Sequence, residues 1–228
     1  MSREGDVSQL KGAPIMTDSR LYVHVLLDRS GSMESCRDTT IDAFNSYVKS
    51  LSGQSHSGTR LSLTTFDSES TDVVFDTLRI SEVPSLTREL FVPRGATPLF
   101  DAVAATVGRI DRVTLLPDER VAFAILTDGQ ENASREMTVE SVRRMLVDRQ
   151  ERRNWLVQYL GANQDAWAAA AQIGIAAGHA LDFNTACVAP AVETLASSAG
   201  RFRSAPMAKA RQSAEFQPAE RAAAKGAN

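Results

Sequence analysis

The sequence predicts an α/β protein, a doubly wound, mostly parallel six-stranded sheet with one antiparallel edge strand and helices on both faces. Three observations lead there. Short apolar runs without polar alternation (residues 21–27, 121–126 and 155–160) read as strands covered on both faces. Segments with apolar residues at spacings of three and four lie between them. The turns after several strands are rich in hydroxyl and carboxylate side chains, where sheets of this class bind ligands.

The first strand, 21–27 (LYVHVLL), is nearly all apolar, and His24 within it reads as a core histidine hydrogen-bonded in place. A helix over 37–51 carries Ile41, Phe44, Val48 and Leu51 on one stripe. The Ser- and Gly-rich segment 52–59 ends it. Residues 60–66 and 71–75 flank Asp67-Ser68-Glu69-Ser70 and read as a hairpin, the source of the antiparallel edge strand. Residues 84–91 are irregular or a short helix. Arg94-Gly95-Ala96-Thr97-Pro98 is a turn, with Pro98 suited to the first position of the next helix. That helix runs to about residue 115, has Leu99, Val103, Val107 and Ile110 on one face, and closes at Pro117-Asp118. A strand over 121–126, a loop over 128–135 and a helix over 138–149 begun by Thr138 follow. The remainder is a strand over 155–160, a polar turn at 161–165, an Ala-rich helix over 166–173, a strand over 180–183 and a helix over 186–202. The crossovers are expected to be right-handed.

Three of the turns carry the chemistry. The first strand runs into Asp28-Arg29-Ser30-Gly31-Ser32, the second turn holds Thr97, and VAFAILTDG ends in Asp128. Two carboxylates and three hydroxyls make an all-oxygen donor set, suited to a hard divalent cation, Mg²⁺ or Mn²⁺, rather than to zinc. Helix capping by Asp28 and the serines is a compatible reading of the first loop, but it leaves Thr97 and Asp128 unexplained. Gly31 and Gly129 read as turn glycines that supply positive φ and room for a ligand.

With D-x-S-x-S on the first loop, T-P before a helix and T-D-G at another strand end, the chain resembles a von Willebrand factor A domain of the stand-alone bacterial type over about residues 20–185. The resemblance implies a Rossmann-like sheet. It also implies a metal-ion-dependent adhesion site in which Asp28, Ser30, Ser32, Thr97 and Asp128 hold the metal and a protein partner's Asp or Glu carboxylate takes an open position. Gly129, Gln130, Glu131 and Asn132 after Asp128, with Asn163, Gln164 and Asp165 after the neighbouring strand, should share the same rim. They read either as a partner-binding rim or as ordinary loop polarity, with Asp165 capping a helix.

Residues 1–19 are polar and aperiodic, a flexible lead-in in which Met16 is an alternative start; residues 20–203 form the domain, and 204–228 a disordered, basic, Ala-rich tail. From Gly200 onward six basic and two acidic residues give +4, within a whole-chain net charge of −3. A tail that gains helix on an acidic partner or nucleic acid is the alternative reading. The acidic body and the lack of interleaved aromatics argue against a nucleic-acid footprint. No apolar run approaches 18 residues and no secretory signal core is present, so the sequence predicts neither a membrane span nor export. Cys36 and Cys187 lack metal-type spacing and read as free thiols of a cytoplasmic protein.

An enzyme is the competing class. Asp28 sits where haloacid-dehalogenase-like hydrolases and phosphotransferases place an aspartate, but Ser30 stands where those need a second acid. There is no G-x-S-x-G elbow, Walker-type loop or dinucleotide fingerprint, and His24, His56 and His179 are scattered. The sequence therefore predicts a non-enzymatic binding module.

Overall fold

A computed structural model describes residues 20–54, 58–113, 119–162, 165–184 and 188–226. The 1–19 lead-in, His56, Pro117-Asp118, Asn163, Gln164 and Cys187 lie outside the described residues.

The strands are β1 (Leu21–Asp28), β2 (Thr59–Phe66), β3 (Thr71–Arg79), β4 (Arg120–Thr127), β5 (Leu156–Ala162) and β6 (Ala180–Phe183). They form one sheet in the order β3-β2-β1-β4-β5-β6, parallel throughout except for the β2–β3 hairpin. The predicted architecture and its antiparallel edge are both present.

Every residue of β1 is buried, because alternate side chains enter two separate cores. Leu21, Val23, Val25 and Leu27 face α1 (Arg37–Gly53) and α5 (Val188–Ser204). Tyr22 and Leu26 face α2 (Leu99–Ile110), α3 (Val139–Arg152) and α4 (Ala166–Gln172). The predicted helix stripes are the buried ones: Ile41, Phe44 and Leu51 on α1, and Leu99, Val103, Val107 and Ile110 on α2. Pro98 lies one position earlier than expected, as the residue before α2 rather than its first.

His24 is a core residue. Its Nε2 lies 2.9 Å from Thr64 Oγ1 and its Nδ1 3.3 Å from Tyr22 Oη. Burial, then the charge of Arg109, drives its pKa down to about 3, so the ring is neutral.

The C-terminal segment departs from the expected disorder. Residues 207–225 fold into a short 3-10 turn, α6 (Ala210–Ser213) and α7 (Pro218–Lys225), and Ala210, Ala214, Phe216 and Ala224 are buried. Its arginines bind inward. Arg201 grips Glu220 through two bonds of 2.7 and 2.9 Å, and Arg221 donates to the Ala180 and Ala177 carbonyls, each at 2.7 Å. The Asn184 amide, next to β6, donates to the Ala224 carbonyl at 3.2 Å. Alanines bury little area each, so composition reads the segment as solvated. Packing uses them because small side chains let α7 approach α5 and β6 closely.

Candidate metal centre

The polypeptide reverses its winding between β1 and β4, which pair with each other while their following helices take opposite faces. The crevice at the carboxyl ends of those strands is where open α/β sheets place ligands. Three loops meet there.

On the first loop, Asp28 closes β1 with its carboxylate fully sequestered. Oδ1 accepts the Ser30 amide at 2.7 Å and Oδ2 accepts the Thr127 hydroxyl at 2.5 Å. Ser30 Oγ lies 3.1 Å from Ser32 Oγ, and Ser32 Oγ donates to Asp128 Oδ1 at 2.6 Å. Ser30 precedes a 3-10 turn (Gly31–Cys36) but makes no side-chain cap, so the capping reading does not account for its hydroxyl. Ser30 and Thr97 are buried, while Ser32 is exposed.

Gly129 shows where the loops converge. A Cβ at this position would meet Thr97 Oγ1 at 3.3 Å, Ser32 Oγ at 3.8 Å and Asp28 Oδ2 at 4.0 Å. One point thus lies within 4.0 Å of donors from the first and second loops, and Asp128 is the neighbouring residue. Gly129 is there for space: neither it nor Gly31 has the positive φ expected of them, which belongs instead to Gly95, at 66°. Gly31 is required for close approach, since its amide donates to the Gly95 carbonyl at 3.0 Å and a Cβ would lie 3.3 Å from that oxygen.

The electrostatics favour a cation. The site gathers two carboxylates, and the one adjacent arginine, Arg29, turns away to Asp67 and Asp72. Burial pushes the Asp28 carboxyl up to about 6, against hydrogen bonds from Thr127 and Ser30 that lower it, and the Asp128 charge pushes the same way as burial. A divalent ion would relieve both effects. Among the described residues no group of three or more His, Cys, Asp or Glu side chains gathers; the side-chain oxygens that meet here are the Asp28 and Asp128 carboxylates and the Ser30, Ser32 and Thr97 hydroxyls. The residues fit a hard cation of modest coordination charge.

Among the expected rim residues, Gln130, Asn132 and Asp165 are exposed, and Asp165 caps α4 by accepting the Ala168 amide at 3.0 Å. Asn163 lies outside the described residues. Glu131 and Asn132 have their acceptors turned inward. Asn132 Oδ1 accepts the Thr97 amide at 2.9 Å. Glu131 accepts the Phe100, Ala133 and Ser134 amides at 2.7 to 2.9 Å. These two residues clamp the Asp128 loop onto the Thr97 loop and the start of α2. Sequence reasoning missed Thr127, whose hydroxyl ties Asp28 to β4 while accepting the Gly129 amide at 3.1 Å. Its signal was a hydroxyl residue directly before Asp128 at a strand end.

No family model and no curated protein matches this chain. Solved structures do. The von Willebrand factor domain of the type V pilus tip protein Mfa5 from Porphyromonas gingivalis has TM-score 0.63 and 11% identity, covering 81% of this chain and 96% of that one. Proximal thread matrix protein 1 of the mussel byssus has TM-score 0.60 and 15% identity, covering 80% of this chain. A second structure of the mussel protein is described as having a zinc-occupied MIDAS motif. A von Willebrand factor type A protein from Catenulispora acidiphila has TM-score 0.56 and 19% identity, covering 81% of this chain. The chain spans 48% of the mussel protein's length and 43% of the Catenulispora protein's. A six-stranded sheet with one antiparallel edge strand, helices on both faces and these structural likenesses together show that the chain has the von Willebrand factor A fold.

Proposed function

We propose that the protein is a non-enzymatic, divalent-metal-dependent protein-binding module. In this reading Asp28, Ser30, Ser32, Thr97 and Asp128 hold Mg²⁺ or Mn²⁺, and the partner supplies an Asp or Glu carboxylate. The observation that carries it is the convergence of donors from separate loops around the space kept open at Gly129. When bound, the ion would supply a positive centre of low ligand charge that gains from one more anion. The chain's own residues do the rest. Thr127 and the Ser30 amide orient the Asp28 carboxylate, Asn132 fixes the Thr97 backbone, and the Gly129 backbone leaves the ligand face clear. Gln130, Asn132 and Asp165 are the exposed rim residues from which a partner could be touched.

The non-enzymatic part rests on what surrounds the site. His24 and His179 are buried, with burial first and arginine charges second lowering their pKa to about 3 and about 4. The Cys36 thiol is buried and pushed up by that burial. None of these is poised as a base or nucleophile beside Asp28. A mussel matrix protein with zinc in its MIDAS motif and pilus proteins among the likenesses support a metal-dependent binding role. No described helix is long and apolar enough to cross a membrane, and the free thiol of Cys36 supports a cytoplasmic location.

The test is titration calorimetry of metal-stripped protein with Mg²⁺, Mn²⁺ and Zn²⁺, beside Asp28→Ala. A pull-down with and without chelator follows. Saturable binding lost in the variant supports the reading. Turnover of a phosphate-ester panel that disappears in Asp28→Ala would replace it with a metal-dependent hydrolase.

A further inference from the structure

The hairpin between β2 and β3 reaches the metal loops through one buried carboxylate. Asp67 is fully enclosed, with no exposed side-chain surface. Its Oδ1 accepts the Glu69 and Ser70 amides at 2.7 and 3.0 Å, which folds the hairpin turn. Its Oδ2 accepts Arg29 Nε at 2.8 Å and Arg94 Nε at 3.0 Å. Arg29 follows the metal-loop residue Asp28, and Arg94 opens the turn that carries Thr97. Ser70 Oγ accepts from both guanidinium groups, at 3.0 and 3.1 Å. Asp72 Oδ2 accepts from the same Arg29 Nη2 at 2.8 Å.

The backbone follows the same path. The Arg29 amide donates to the Phe66 carbonyl at 2.8 Å, and the Arg94 amide to the Arg29 carbonyl at 2.9 Å. Ser68 Oγ accepts the Ala96 amide at 3.0 Å, one residue before Thr97. Gly95 can lie there only because it lacks a side chain, since a Cβ would come within 2.3 Å of Ser68 Oγ. The first two metal loops are therefore registered to each other by a third segment that supplies no metal ligand.

We infer that Asp67 is a positioning residue for the metal centre: it sets Thr97 relative to Ser30 and Ser32, and it holds the Arg29 and Arg94 guanidinium groups away from Asp28 and Asp128. The second role follows from charge. A guanidinium freed next to Asp28 would compete with a divalent ion for the same carboxylates. Four bonds to one enclosed carboxylate make that release unfavourable while Asp67 is ionised.

This inference rests on the proposed metal-binding function, and its test separates the two. Asp67→Asn keeps an oxygen for the Glu69 and Ser70 amides but loses the charge that holds both arginines. Two measurements are made on full-length wild type and variant: calorimetric titration with Mn²⁺, and hydrogen exchange of the 94–97 amides without metal. The expected result is Mn²⁺ affinity weakened about 10- to 100-fold, the usual cost of removing a group that orients ligands. Faster exchange at Gly95, Ala96 and Thr97 should accompany it while β1 and β4 keep their protection. A purely structural role would lower the melting temperature yet leave Mn²⁺ affinity of the folded protein within about twofold of wild type, and that outcome overturns the inference. Unchanged exchange at 94–97 overturns it too. Wild type that fails to bind Mn²⁺, with exchange still accelerated in the variant, keeps the positioning of Thr97 by Asp67 and refutes the metal reading instead. Asp67→Ala, which also strips the turn, should weaken Mn²⁺ further.

Discussion

Replacing Gly129 by alanine separates the metal site from the fold. The new methyl would lie 3.3 Å from Thr97 Oγ1, closer than side-chain carbons normally approach, so the hydroxyl must give by a few tenths of an ångström. Metal–ligand distances tolerate only about 0.2 Å of change. The methyl also projects toward Ser32 Oγ and Asp28 Oδ2, filling the space into which those donors point. Together these should weaken Mn²⁺ binding about 10- to 100-fold, or about 1.4–2.7 kcal/mol. The backbone itself raises no objection, because Gly129 is not among the residues with positive φ. A glycine with ordinary φ that becomes alanine gains about 0.4–1 kcal/mol from the unfolded chain's lost freedom. That gain offsets the shift forced on Thr97, so metal-free Gly129→Ala should melt close to the wild-type temperature while losing the stabilisation that Mn²⁺ gives. That stabilisation is about 2.7 kcal/mol when free metal exceeds the dissociation constant 100-fold. Calorimetric titration and melting scans with and without chelator read both quantities. Wild-type Mn²⁺ affinity in Gly129→Ala would falsify the placement of the ion at this convergence of loops.

Two further outcomes concern the fold. His24 is held neutral with a pKa near 3 against an ordinary 6.5, chiefly by burial. The unfolded chain therefore takes up its proton first as pH falls, and stability present above about pH 6.5 is lost on the way to pH 3, by up to about 4–5 kcal/mol. Urea denaturation at pH 7, 5 and 4 should show a shallower loss in His24→Gln than in wild type; equal slopes would rule out His24 as the source. Phe216 is 4% exposed beneath the C-terminal helices. Phe216→Ala should cost about 3 kcal/mol in a urea titration, the lower end for a buried phenylalanine, whereas no change would restore the expectation of a disordered tail.

The strands and the donors proposed to hold the metal were readable in the sequence because each rests on a local pattern. Unbroken apolar runs mark β1, β4 and β5, and each donor sits directly at a strand end or before a helix. The supports were not readable, since they depend on pairing between distant segments. Arg29 and Asp67 are 38 positions apart and Asp28 and Thr127 are 99 apart, and nothing in either neighbourhood announces the partner. The inward bonds of Glu131 and Asn132 were hidden for the same reason, although Asn132 is also exposed on the rim. Their acceptors face inward because the amides of Thr97 and Phe100 need them, a demand visible only once the loops are brought together. The C-terminal segment misled through averaging: its charge suggested solvation, yet Arg201 and Arg221 spend their donors on Glu220 and on backbone carbonyls.

The C-terminal helices also change what a neighbouring molecule meets. A sheet offers unpaired amides and carbonyls along its outer strands, and those are where chains add to one another. At one border, α7 lies along β6, with Arg221 capturing the Ala180 carbonyl and Lys225 pairing with Asp182 at 3.1 Å. At the other, β3 is broken by irregular pairing with β2 around Leu63, by the positive φ of 55° at Thr77, and by the charges of Asp72, Asp76 and Arg79. Neither border presents a long, flat template for a second copy. Loss of the last helix would uncover β6 and convert a local truncation into a tendency to self-associate at high concentration.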